Sequence, residues 1–89
     1  MRMLVVEDDP TIRMLLVRVL RSLPHLPEVV AVGTLGAGSA ACARLRPDLA
    51  FIDLNLSDGS GLTLIYERQV VGTAPRQLVL SVMIWAFDL

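Results

Sequence analysis

The sequence has no lysine, one cysteine and no basic cluster, and each of these features narrows the range of functions. All eight basic residues are arginines scattered along the chain, and the formal net charge is -1. Such a charge pattern lacks the positive patch through which proteins bind nucleic acid, so we expect no direct nucleic-acid binding. A single cysteine, Cys42, excludes an internal disulfide and fits a reducing compartment.

The sequence also lacks an apolar run long enough to cross a membrane. The longest run, residues 78–87, has ten residues and is interrupted by Ser81, whereas a membrane-spanning helix needs about 20. Glu7 interrupts the N-terminal apolar run before the core of a signal peptide could form. We therefore expect a soluble, cytoplasmic protein with no membrane partner, and 89 residues suit one small domain.

Predicted strands and helices alternate along the chain. Short apolar runs predict buried strands over residues 3–6, 28–32, 48–54 and 77–82. Asp9 before Pro10 is typical of a helix start, and apolar residues at helical spacing continue from there to Leu23. Residues 33–39 are interpreted as a glycine-rich turn before a short helix, residues 57–61 as a loop, and residues 62–71 as a helix. This alternation predicts an α/β fold with an open, doubly wound parallel sheet.

Polar residues gather where the predicted strands end. They are Glu7, Asp8 and Asp9 after the first strand, Asp53 and Asn55 after the third, and Ser81 in the fourth. Carboxylates about 4 Å apart repel by about 4 kcal/mol per pair at an effective dielectric of about 20, so gathering them favours a bound cation. Carboxyl ends of parallel strands share one rim, and oxygen ligands suit Mg²⁺. An aspartate in such a cluster can act as a nucleophile towards a phosphoryl group, which points to Asp53.

Three segments together carry a family resemblance. LVVEDDP (4–10), PDLAFIDLNLSDGSGL (47–62) and LVLS (78–81) resemble, in this order, the receiver domain of two-component response regulators. The resemblance implies a flavodoxin-like (CheY-like) sheet and transfer of a phosphoryl group from a sensor histidine kinase. By position, Asp53 matches the phosphoacceptor, Glu7 and Asp8 match the acidic pair, and Asn55 matches the residue whose main-chain carbonyl completes the Mg²⁺ site.

Other positions match or depart from the family pattern. Ser81 matches the switch hydroxyl, and Gly61 matches the glycine of the loop after the third strand. Asp9 falls one place beyond the acidic pair, so we interpret it as a helix N-cap. Ser57 stands where the family usually has proline, which should loosen that loop.

The resemblance also implies that part of the family's domain is missing from this sequence. Residues 1–82 would form a receiver with about four of its five strands, lacking the last helix-strand-helix and the lysine that pairs with the phosphate. Residues 83–89, MIWAFDL, would be an atypical apolar tail. We therefore expect an impaired switch, and a homodimer or larger assembly joined through the exposed edge of residues 77–82 and this tail.

Three alternatives remain open at this point. Residues 36–41, GAGSAA, fit a dinucleotide-binding pattern with Asp53 near the ribose position, although Glu7 and Asp8 would repel a pyrophosphate. Residues 53–55, DLN, resemble a degenerate aspartate-nucleophile phosphatase motif, in which Asn55 replaces the second carboxylate. A receiver-like interaction module without phosphorylation is the third alternative. We expect a phosphoacceptor signalling domain and not an enzyme that turns over a substrate.

Overall fold

A computed structural model describes residues 1–25, 27–70 and 77–81, and it confirms the predicted alternation of strands and helices. The elements in chain order are β1 (Arg2–Val6), α1 (Pro10–Arg21), β2 (Glu28–Val32), α2 (Leu35–Leu45), β3 (Leu49–Asp53), β4 (Asn55–Leu56), β5 (Gly59–Ser60), α3 (Gly61–Val70) and β6 (Gln77–Ser81). The proposed apolar tail, residues 83–89, lies outside the described residues. In the described part, no helix is long and apolar enough to cross a membrane.

The main sheet is parallel throughout and has the order β2-β1-β3-β6. Val6 lies opposite Val32 on one side and opposite Ile52 on the other, and Asp53 lies opposite Ser81. All four strands therefore end at one rim of the sheet. The predicted open parallel sheet is confirmed, and the described residues contain four of its strands.

Hydrophobic residues pack on both faces of the sheet. Residues alternate sides along a strand, so Leu4 and Val6 of β1 join one core and Met3 and Val5 join the other. The first core lies against α2 and α3 and also contains Ala41, Cys42, Ala50, Ile52, Leu56 and Leu64. The second lies against α1 and also contains Leu20 and Val29. Both faces of β1 are thus buried, as expected for a central parallel strand.

The predicted start of α1 is confirmed by its capping bonds. Asp9 Oδ1 accepts hydrogen bonds from the backbone N–H groups of Thr11 at 2.8 Å and Ile12 at 3.2 Å. Pro10 occupies the first helical position, where no N–H group is needed. Asp9 is therefore the N-cap of α1.

The glycine-rich segment is not the predicted turn. α2 begins at Leu35, so residues 36–39 are helical, and Thr34 Oγ1 caps the helix by accepting from Ala37 N at 3.1 Å. A Cβ at Gly38 would lie 3.0 Å from Val6 Cγ2 and 3.1 Å from Leu64 Cδ2. Gly38 therefore allows close packing inside a helix, and the prediction of a turn here was wrong. The dinucleotide-binding alternative loses its basis, because the first two glycines of that pattern form the turn after the strand, whereas Gly36 and Gly38 lie inside α2.

The predicted loop over residues 57–61 contains secondary structure of its own. β4 and β5 form a small antiparallel hairpin in which Asn55 lies opposite Ser60 and Leu56 opposite Gly59. Gly59 has a φ of 149°, a backbone conformation that favours glycine. Because Leu56 is buried in the first core, the hairpin is held against the domain.

Candidate functional site

Three carboxylates meet at the rim of the sheet. Glu7 and Asp8 directly follow β1, and Asp53 is the last residue of the neighbouring β3. One carboxylate oxygen from each of the three residues lies within 4.8 Å of the other two. The parallel pairing of β1 with β3 produces this approach, because both strands run into the rim at the same level.

Two of these carboxylates are removed from water. Glu7 is 2% exposed and Asp53 is 4% exposed, whereas Asp8 is exposed. Glu7 Oε2 is buried without a hydrogen-bond partner among the described residues. Burial raises the pKa of Glu7 to about 8, and a hydrogen bond with Asp53 and the charges of Asp53, Asp8 and Asp9 contribute further. Without a cation, this raised pKa favours the protonated form of Glu7 at neutral pH.

The segment after β3 fixes one oxygen of Asp53. The backbone N–H of Asn55 donates to Asp53 Oδ1 at 3.1 Å, and the N–H of Gly61 donates to Leu54 O at 2.9 Å. An added Cβ at Gly61 would collide with the main-chain carbonyl of Asp53 and lie 2.7 Å from Ile52 Cγ2. Gly61 thus allows α3 to begin directly against the end of β3.

The segment after β1 is fixed by Arg13, a residue whose role here the sequence reasoning missed. The N–H of Glu7 donates to Val32 O at 3.0 Å, and Arg13 Nη1 donates to Glu7 O at 2.8 Å. A Cβ at Gly33 would lie only 2.8 Å from Arg13 Nη1, so the glycine leaves space for the guanidinium. The arginine and glycine together hold the main chain of Glu7 in place.

The other sequence-predicted residues lie around this cluster. Ser81 pairs in register with Asp53, so its backbone reaches the same rim. Asn55 begins the hairpin and is exposed. Asp9 is not one of the three clustered ligand groups, because its Oδ1 atom caps α1.

Asp58, in the turn between β4 and β5, was also missed. Its Oδ1 atom accepts from Leu35 N at 2.7 Å and its Oδ2 atom accepts from Gly36 N at 3.1 Å. These two backbone hydrogen bonds hold the pKa of Asp58 below its ordinary value. No local sequence pattern signals this contact, because Asp58 lies more than 20 residues after the N–H groups that it accepts from.

The donor set fits a hard divalent cation. All three clustered groups are carboxylates, which are ligands of the type that Mg²⁺ and Ca²⁺ prefer. The buried, unpartnered Oε2 atom of Glu7 supplies an oxygen that lacks compensation within the described residues. A cation at this position would offset the burial and the carboxylate repulsion that together raise the pKa of Glu7.

The response regulator receiver domain model matches residues 3–83. The chain belongs to this family. Solved structures that are similar to this chain agree with the family assignment and confirm the predicted CheY-like fold. This receiver has a TM-score of 0.81 and 26% identity to the N-terminal domain of an uncharacterized protein from Wolinella succinogenes, over 99% of this chain and 70% of the other. For response regulator TrrA from Thermotoga maritima in complex with Mg²⁺-BeF, the TM-score is 0.74 with 21% identity, over 90% of this chain and 85% of the other.

Curated relatives of this receiver are longer proteins. It is 44% identical over 81 residues to protein-glutamate methylesterase/protein-glutamine glutaminase 2 of Anaeromyxobacter dehalogenans, covering 90% of this chain and 23% of the relative. Identity to the transcriptional regulatory protein DpiA of Escherichia coli is 28% over 65 residues, covering 73% of this chain and 29% of the relative. The matched part of each relative is thus less than a third of its length.

Proposed function

We propose that this receiver accepts a phosphoryl group from a sensor histidine kinase onto Asp53, with Mg²⁺ bound by Glu7, Asp8, Asp53 and the main-chain carbonyl of Asn55. The observation that carries the proposal is the approach of three carboxylates within 4.8 Å at one rim of the sheet. The buried, unpartnered oxygen of Glu7 adds support, because a bound cation would compensate it. In this proposal the chain is a phosphoacceptor in two-component signalling and not a turnover enzyme.

The chemistry assigned to Asp53 is nucleophilic attack on phosphorus. A carboxylate oxygen of Asp53 forms the new O–P bond while the bond from phosphorus to the donor breaks, and the leaving group keeps that electron pair. Bound Mg²⁺ supplies charge neutralisation for the phosphoryl oxygens. The N–H of Asn55, at 3.1 Å from Oδ1, holds the carboxylate in one orientation during attack. Ser81, opposite Asp53 in the strand register, is the proposed switch hydroxyl.

We assign the receiver to residues 1–82 and the apolar tail to residues 83–89. We also propose a cytoplasmic location, which fits both the proposed kinase partner and the single cysteine, typical of a reducing compartment. A formal net charge of -1 without a basic cluster supports the absence of direct nucleic-acid binding, and we propose no membrane partner.

Acetyl phosphate with Mg²⁺ is expected to phosphorylate Asp53 slowly, because the nucleophile is present but the 89 residues contain no lysine to pair with the phosphate. Intact-mass spectrometry should show a labile phosphoryl adduct that requires Mg²⁺. The adduct should disappear in Asp53→Asn and persist in Asp48→Asn, a control just before the opposite end of β3.

An adduct that persists in Asp53→Asn would place the nucleophile elsewhere. Failure of the wild type both to bind Mg²⁺ and to form the adduct would favour the interaction module instead. Rapid and complete labelling would contradict the expected effect of the missing lysine.

We further propose that copies of the chain associate through the open edge of β6 and the tail of residues 83–89. Within residues 1–25, 27–70 and 77–81, β6 pairs only with β3, and an unpaired strand edge recruits other chains. Sedimentation velocity should show the average mass rising with concentration. A Val82→Lys, Ile84→Lys variant should shift the population towards monomer, because charges next to an edge strand oppose pairing. A wild-type chain that stays monomeric at high micromolar concentration would refute this assembly.

A further inference from the structure

Asp58 connects the β4–β5 hairpin to the beginning of α2. Its two carboxylate oxygens accept from the N–H groups of Leu35 at 2.7 Å and Gly36 at 3.1 Å. N–H groups in the first turn of a helix have no partner within that helix, so the contact satisfies two donors that α2 cannot satisfy itself. Thr34 Oγ1 accepts from the next N–H group, that of Ala37.

A second contact joins the same two elements. A Cβ at Gly59, beside Asp58, would lie 2.7 Å from Leu35 Cδ2. The backbone of the hairpin tip therefore lies directly against the first residue of α2. The tip is held by a pair of hydrogen bonds and by close packing, even though the side chain of Asp58 itself is exposed.

The other end of the hairpin is connected to the candidate site. Asn55 donates its N–H to Asp53 Oδ1 at 3.1 Å and pairs with Ser60 across the hairpin. Ser60 Oγ in turn accepts from Leu62 N at 3.2 Å, at the start of α3. A hairpin with strands of only two residues has little stability of its own, so its position depends on contacts at both ends.

We infer that Asp58 is a positioning residue, which fixes the hairpin to α2 and thereby sets where the main-chain carbonyl of Asn55 lies relative to Asp53. The inference rests on the proposed function, since the Asn55 carbonyl is a Mg²⁺ ligand only there. Ser57, the other turn residue, lacks the fixed φ that proline would supply. The turn is instead restrained by the hydrogen bonds of Asp58 and by the packing of Gly59 against Leu35. Residues that orient metal ligands without touching the metal typically alter affinity by about 10–100-fold.

The Asp58→Asn variant tests this inference in the full chain. Asparagine keeps the size of the side chain but replaces one acceptor oxygen with an NH₂ group, which cannot accept from an N–H group of α2. The Kd for Mg²⁺, measured from the amide shift of Asn55, is expected to rise about tenfold. At saturating Mg²⁺, labelling of Asp53 by acetyl phosphate should fall by a smaller factor than the Mg²⁺ affinity, because the nucleophile is retained and only the Asn55 N–H that orients it is loosened.

The Thr34→Ala variant is the matched control. It removes the other side-chain cap of α2 without touching the hairpin, so its Kd for Mg²⁺ should equal that of the wild type. A wild-type Kd in Asp58→Asn would overturn the inference, and so would an equal loss of affinity in Thr34→Ala, which would indicate a general effect of α2 stability. If the wild type binds no Mg²⁺, the proposed function fails and the inference fails with it.

Discussion

Without metal at pH 7, the free energy of unfolding of Glu7→Gln is expected to exceed that of the wild type by about 3 kcal/mol. Each unit by which the pKa of Glu7 differs between the folded and unfolded states corresponds to about 1.4 kcal/mol. The pKa of Glu7 is raised from 4.5 to about 8 in the folded protein, with burial as the largest cause. The favourable contribution of protonated Glu7 is therefore complete below pH 4.5 and is lost as the pH rises through 8. Glutamine has the shape of the protonated acid and cannot ionise. The variant therefore keeps, at high pH, the stability that the wild type loses when Glu7 ionises.

Urea unfolding between pH 4.5 and pH 8.5, with a chelator present, measures this difference. The stability curves of the two proteins should converge at the acidic end and separate towards neutral pH. Glu28→Gln is the control, because Glu28 is exposed at the end of β2 that lies away from the rim. Its carboxylate forms an exposed 3.6 Å contact with Arg2 Nε. The stability of this control variant should follow the wild type over the whole range. A Glu7→Gln variant less stable than the wild type at pH 7 would contradict the assigned protonation.

Mg²⁺ is expected to reverse the order of stability at sufficient concentration. A cation replaces the proton on Glu7, so the wild type should gain about 4.1 kcal/mol at a metal concentration about 1,000 times its Kd. This gain exceeds the advantage of about 3 kcal/mol that Glu7→Gln has without metal. Glu7→Gln has lost one carboxylate of the cluster and should gain much less at the same concentration. Because proton and metal compete for Glu7, the wild-type Kd should also fall as the pH rises towards 8. Equal stabilisation of both proteins would remove Glu7 from the metal site.

Gly61→Ala is expected to destabilise the domain by about 3 kcal/mol, at the upper end of the usual cost of overpacking. Its Cβ would collide with the main-chain carbonyl of Asp53 and lie 2.7 Å from Ile52 Cγ2. Neither neighbour can easily move, since both belong to the central part of the sheet. Labelling of Asp53 should decrease as well, because relief of the collision shifts either Asp53 or the start of α3.

Gly36→Ala is the matched control for this substitution. Outside its chain neighbours and its own helix, the nearest described atom to its added Cβ would be Asp58 Oδ2 at 3.8 Å, an ordinary contact distance. Alanine is a better helix former than glycine, so this variant in the first turn of α2 should be at least as stable as the wild type. Urea unfolding of both variants separates the effect of replacing a glycine by alanine from the effect of the collision at position 61. A Gly61→Ala protein within about 0.5 kcal/mol of the wild type would contradict the packing argument.

Much of the fold could be predicted from local sequence alone. Apolar runs placed the four long strands, and Asp9 with Pro10 placed the beginning of α1, because both signals depend on neighbouring residues. Alternation of strands and helices was enough to predict a parallel sheet whose strands end at one rim. The order of acidic residues along the chain then predicted that Glu7, Asp8 and Asp53 would meet, and the structure brings their carboxylates together.

Other features depended on residues distant in sequence, and only the tertiary structure decided them. Residues 36–39 are helical partly because Asp58, 22 residues after Gly36, accepts a hydrogen bond from that residue's N–H group, which no local pattern reveals. Gly38 and Gly61 are required by the close approach of Val6 and of the Asp53 carbonyl, and not by turns. The pKa of Glu7 likewise depends mainly on its burial between elements, which the local sequence does not reveal. Sequence determined which groups reach the rim, whereas packing determined the raised pKa of Glu7 and the restraints that hold these groups there.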